Sequence, residues 1–142
     1  MRNLIIFCLM SIMLLSCSID DDTNDFYLET LPIESVDMPD SFVSGETAVI
    51  NYTYLRPTTC HVFNDLYYSI DGNQRVVAII NRVYEETGSG NPCSILDNEV
   101  ASRSFNFSVN SNIGSTYTFK FWQGEDQNGE DIYLTIEVPV VE

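Results

Sequence analysis

The residues best suited to chemistry lie near the C-terminus. The segment Gly124-Glu125-Asp126-Gln127-Asn128-Gly129-Glu130-Asp131 sets Asp126, Asn128 and Asp131 at short spacing, and calcium takes about six to eight hard oxygen ligands. No bidentate Glu follows at the position an EF-hand loop requires, and no helical pattern flanks the segment. The same stretch also reads as a hairpin turn in which Asn128-Gly129 supplies positive φ. Calcium on Asp126, Asn128 and Asp131 is thus the one cofactor expectation, set against a plain solvated turn. Aromatic side chains offer a second kind of chemistry. Tyr52, Tyr54, Tyr67, Tyr68, Tyr84 and Trp122 could present flat faces on which sugar rings stack, while most such residues elsewhere serve as core or cross-strand partners. Trp122 is the ligand-binding candidate, because it alternates in step with Thr116, Thr118 and Lys120 and so points away from the core.

Catalysis has little to draw on. The chain lacks a Gly-x-Ser-x-Gly elbow, a Gly-rich phosphate cradle and a Cys-x-x-Cys motif. A general base would have to be His61, the only histidine. Metal ligation by Cys60 and His61 would need two further ligands at suitable spacing. Carboxylates are plentiful, but short strands leave few long loops to shape a glycosidase cleft. The expectation is a protein that is not an enzyme.

The N-terminus reads Met1-Arg2-Asn3 and then an apolar run from Leu4 to Leu15. That run is too short to cross a hydrocarbon core of about 30 Å as a permanent helix, and it has the charged start and apolar middle of an export signal. Leu14-Leu15-Ser16-Cys17 resembles the lipobox of bacterial lipoproteins. The resemblance implies cleavage before Cys17, a diacylglycerol on its sulfur and anchoring to a membrane through lipid. The following Ser18-Ile19-Asp20-Asp21-Asp22 is similar to the export signal of Bacteroidetes surface lipoproteins. It implies an outer-membrane location facing the exterior, with Asp20, Asp21 and Asp22 as the signal; an acidic tether is the plainer reading. Two cysteines remain, Cys60 and Cys93, and in an exported chain a disulfide between them is the default. Asp40-Ser41-Phe42 resembles the Bacteroidetes O-glycosylation motif, with Ser41 as acceptor, and Asn51-Tyr52-Thr53 is an N-x-Thr sequon.

These features need a scaffold. In 142 residues, 44% are hydrophobic and 12% aromatic, enough for one core and too apolar for a disordered chain. A net charge of −15, from 21 acids against 6 bases, disfavours nucleic acid as a partner, since phosphate binding needs clustered Lys or Arg. Past Asp25 the hydrophobic period is two. Candidate strands cover 30–38, 46–55, 60–70, 75–84, 99–110, 115–123 and 132–141. Pro32 confines the first to an edge, and Asn64-Asp65 marks a bulge in the third. Asp71-Gly72-Asn73 joins the third and fourth as a hairpin. Val76-Val77-Ala78-Ile79-Ile80 is apolar on both faces, as in a central strand. Residues 85–98 form a long loop that a Cys60–Cys93 bridge would pin.

About seven strands without a helix predict an all-β fold, an antiparallel sandwich that resembles the immunoglobulin-like architecture, with a barrel as the alternative. The resemblance is architectural, because the Cys…Trp…Cys pattern of antibody domains is absent. The expected organisation is a leader at 1–16, an acidic tether at 17–29 and one sandwich domain at 30–142. The function expected is a lipid-anchored, non-catalytic binding module for extracellular glycan or protein. A structural or assembly subunit of a cell-envelope complex is the alternative.

Overall fold

The computed structural model describes residues 25–142. The expected leader at 1–16, Cys17 and the acids Asp20, Asp21 and Asp22 lie outside the described residues. Nine strands and no helix make up the described chain: β1 (Phe26–Leu31), β2 (Ser35–Asp37), β3 (Phe42–Val43), β4 (Thr47–Leu55), β5 (His61–Asp71), β6 (Gln74–Tyr84), β7 (Val100–Ser108), β8 (Thr116–Glu125) and β9 (Asp131–Val141). They form two sheets. The small one has the order β2-β4-β7, and the large one runs β1-β6-β8-β9-β3 with β5 added on β6.

Three expectations change. The first expected strand, 30–38, is two strands in different sheets. β1 pairs with β6 and β2 with β4; between them Pro32, which has no N–H for a ladder, lets the chain cross, and Ile33 N then donates to Trp122 O at 2.9 Å. The tether boundary at 29 also moves, since Phe26–Glu29 are strand residues. The Phe26 ring packs 5.6 Å from Tyr84 and under the Arg82 guanidinium, contacts that a boundary drawn from the neighbouring acids overlooks. Finally, the architecture is mixed rather than purely antiparallel. β6 and β8 run parallel, as do β3 and β9, pairings between distant segments that local alternation does not reveal.

Most of the alternation stands. Phe63 and Asp65 bracket a register shift in β5. Gly72, at φ +55°, takes the left-handed position of the two-residue β5–β6 turn. β6 is central, with β5 on one edge. Its other edge is divided: β8 pairs with Gln74–Val77 and β1 with Ile79–Tyr84. Ala78 sits where the sheet forks.

The core lies between the sheets. Ile50, Tyr52 and Tyr54 of β4 and Phe107 of β7 face Val77 and Ile79 of β6, Tyr117, Phe119 and Phe121 of β8, and Val138 and Val140 of β9. The Phe107 ring stands edge-on to Tyr117 at 4.8 Å and to Phe119 at 5.1 Å, with Phe42 at 5.1 Å. Such tilted and edge-to-face pairs add about 0.5–1.5 kcal/mol each beyond area burial.

Cys60 and Cys93 are disulfide-bonded, Cα–Cα 5.5 Å, and tie the loop after β6 to the start of β5. The loop is also held by bridges Thr58↔Ile95 and Glu86↔Pro92. With the two residues 33 positions apart, the chain-entropy relation assigns the crosslink about 3.8 kcal/mol. A Cys60→Ser/Cys93→Ser double variant should therefore lose about 3–4 kcal/mol of stability in denaturant unfolding while keeping its β-type circular dichroism.

Candidate functional site

The fork in the large sheet leaves a pocket on its outer face. Residues Val76, Ala78 and Ile80 of β6 alternate with the core-facing Val77 and Ile79, so they form its floor, joined by Thr30 of β1. Ala78 is short, and at that point neither β8 nor β1 pairs on this edge of β6. Tyr67, half-exposed and paired across from Ala78, makes one wall. Trp122 of β8 and Tyr133 of β9, directly opposite one another in register, make the other. The pocket holds about 510 Å³, and Glu125 and Asp131 stand at its rim.

Asp131 organises the second wall. Asp131 and Tyr133, two residues apart on β9, share a face by strand alternation, and a register shift between Trp122 and Gly124, with Gly124 at φ +112°, brings Glu125 opposite Asp131. Trp122 Nε1 donates to Asp131 Oδ1 at 2.7 Å, and Tyr133 Oη donates to Oδ2 at 3.0 Å. Both donors point at one carboxylate, so the ring planes are held rather than free to rotate. Desolvation, then the hydrogen bond to Asp131 and its charge, hold the Tyr133 hydroxyl above its ordinary pKa. It remains protonated, a donor to Asp131. The Lys120 ammonium lies 5.8 Å from the Tyr133 ring centre. Flat rings at fixed orientation, an apolar floor and carboxylate acceptors at the rim suit a ligand with one apolar face and hydroxyls at its edge.

The other sequence candidates fall elsewhere. Asp126 closes its own turn: Oδ1 accepts from Asn128 N at 2.7 Å and Glu130 N at 2.9 Å, and Oδ2 from Asn128 Nδ2 at 3.2 Å. Asp131, the third member of the expected calcium set, is turned toward Trp122 instead. Among the described residues no three His, Cys, Asp or Glu side chains gather as a metal set. Cys60 is committed to its disulfide, and His61 is buried with Nε2 on Glu29 at 2.9 Å and Nδ1 on the Thr58 hydroxyl at 2.8 Å. Ser41 is half-buried in the bend before β3, and Asn51 sits on the outer face of β4, its amide 3.5 Å from Asp37.

Of the expected aromatic platform, Tyr52 and Tyr54 are buried in the core. Burial pushes the Tyr52 hydroxyl up to about 12. Tyr68 faces Phe105 and Tyr84 faces Phe26, which leaves Tyr67 and Trp122 in the pocket. Tyr133 is not among the candidates the sequence offers. Its signal was present, two residues after Asp131 and across a short hairpin from Trp122. Compared with known proteins, the chain matches no family model, no curated sequence and no solved structure.

The Asp126 turn gives a pH prediction. Backbone donation from Glu130, then Asn128, holds its carboxyl below the usual carboxylate range. A group depressed in the folded state stabilises fully above its unfolded pKa of about 4 and loses that contribution as pH falls through the folded value. Asp126→Ala should therefore lower the thermal midpoint at neutral pH, with the two curves converging below about pH 4.

Proposed function

We propose that the mature protein is a lipid-anchored lipoprotein of the outer membrane, facing the exterior, whose β-sandwich is a non-catalytic binding module for extracellular glycan. The Leu14-Leu15-Ser16-Cys17 motif and the acids after it support the location. The opposition of β2-β4-β7 to a sheet ending in β8-β9-β3 supports an immunoglobulin-like variant, with the parallel β6–β8 pairing as its departure. The single observation that carries the binding reading is the Trp122–Asp131–Tyr133 arrangement. One carboxylate fixes two aromatic rings beside an apolar floor on an open face. A pyranose ring has a matching shape, a C–H face for the rings and equatorial hydroxyls for Asp131 and Glu125.

Trp122 is the only tryptophan, so tryptophan fluorescence, excited selectively over tyrosine, reports this wall alone. Titration with soluble oligosaccharides, both neutral and acidic, should shift or quench the emission for at least one class. Trp122→Ala should reduce retention on the matching immobilised polysaccharide at least tenfold with the fold intact. Unchanged emission across all classes, together with equal retention of the variant, would exclude the reading. Location is checked separately: Cys17→Ser should move the protein from the membrane to the soluble fraction.

A further inference from the structure

The two sheets differ in width, and the mismatch opens a seam. Among the described residues β5 pairs only with β6, and its inward side chains Leu66, Tyr68 and Ile70 lie at the margin of the core; Tyr68 is 37% exposed and Ile70 63%. Opposite them, β7 pairs among the described residues only with β4, and its second edge carries no described strand. A groove of about 360 Å³ runs between the two strands. β5 contributes Leu66, Tyr68 and Ile70, alternate residues and therefore one face of a strand. β7 contributes Phe105, Asn106, Phe107 and Ser108, consecutive residues and therefore an edge. A face on one side and an unpaired edge on the other are what an added strand occupies.

The charges in the seam say what kind of strand. Arg75 points inward from β6 and is only 9% exposed. Its guanidinium lies 5.0 Å from the Tyr117 ring centre and 5.8 Å from that of Phe107. Nη1 donates to the Gly72 and Gln74 carbonyls, while Nε is buried with no hydrogen-bond partner among the described residues. Arg103, on the same inward face of β7 as Phe105 and Phe107, lies exposed over the Phe63 ring at 5.2 Å. The ion pairs among the described residues are Arg56–Glu99 and His61–Glu29, so neither seam arginine meets a carboxylate, in a chain with 21 acids and 6 bases. A buried cation without a counter-charge favours any ligand that brings one. Arg103 and Phe107, where Arg75 lies, are four residues apart on β7, about 13 Å in extended chain.

We infer that this seam binds an extended acidic peptide, which adds to the β7 edge as a fourth strand of the small sheet. Carboxylates four residues apart meet Arg103 and Arg75, and an apolar side chain midway packs on Tyr68 and Phe105. Positions two and four apart share a strand face, so the recognised pattern is acid-x-apolar-x-acid, in either chain direction. This surface is separate from the Trp122 pocket and does not depend on it.

Fluorescence anisotropy of the purified full chain with a labelled Glu-Thr-Val-Thr-Glu peptide flanked by Gly-Ser tests the inference. Saturable binding is expected, at least tenfold weaker for the Gln-for-Glu peptide and for a peptide N-methylated at alternate backbone nitrogens. Arg103→Gln, at an exposed position, should weaken binding at least fivefold without changing the circular dichroism. Equal binding of the Gln or N-methylated peptides overturns the proposal. So does no binding at all, displacement by a uronic-acid oligosaccharide better than by the peptide, or a dimer of the chain that the peptide fails to dissociate. Oligosaccharide titration of Trp122 fluorescence is a different readout, so failure of either proposal leaves the other standing.

Discussion

Everything in the fold turns on β6, a strand that must satisfy backbone groups on both edges inside a largely apolar setting. β5 serves one edge through a tight hairpin. No single strand serves the other, which β8 and β1 divide at Ala78. Because β8 is parallel to β6, the chain cannot return by a short turn. It travels through the disulfide-pinned loop and β7 in the opposite sheet before coming back. β1, on the remaining half of the edge, must end where β8 begins, and Pro32 ends it. The chain then crosses to supply β2. One strand's hydrogen-bond requirement thus couples both sheets and produces the outer-face pocket.

The core enforces the same arrangement from inside. Tyr117, Phe119 and Phe121 can all be buried only if Thr116, Thr118, Lys120 and Trp122 face outward, and the aromatic contacts of Phe107 with Tyr117 and Phe119 lock that register. Slipping β8 by one residue would bury Lys120 and expose three aromatic rings. Trp122 is therefore placed on the outer face by the core, and Asp131 then fixes how its ring is turned.

Much of this was legible in the sequence wherever a strand alternates clearly. Ile50, Tyr52 and Tyr54, and Tyr117, Phe119 and Phe121, declare their faces, and Asp71-Gly72-Asn73 declares its hairpin. What was hidden is non-local. Nothing near Gln74–Val77 indicates a parallel partner more than forty residues away. β2 and β3 are too short to show a period. Phe26–Leu31 follows a run of acids that masks its own alternation. Arg75 stands at the head of a β-branched run, and only the pairing with β5 shows that it points inward. In the pocket, Trp122 was readable from its neighbours in β8, while Tyr133 needed the hairpin register. The oxygens of Asp126 and Asp131 looked alike on paper, and the backbone gave them different tasks.

The position of β1 also bears on how the domain would carry load. β1 is bound to β6 along its whole length, from Phe26↔Tyr84 to Leu31↔Ile79, and Glu29 reaches His61 beside the Cys60–Cys93 crosslink. A pull on the backbone ahead of Phe26, directed along the strand axis, acts on these pairs in shear, together rather than one after another. The force passes into the central strand, whose neighbour β5 is covalently tied at its start. Tension entering at the N-terminal end is thereby carried by the β1-β6-β5 end of the large sheet, and Thr30, Ala78 and Ile80 of the strands that bear it also line the Trp122 pocket.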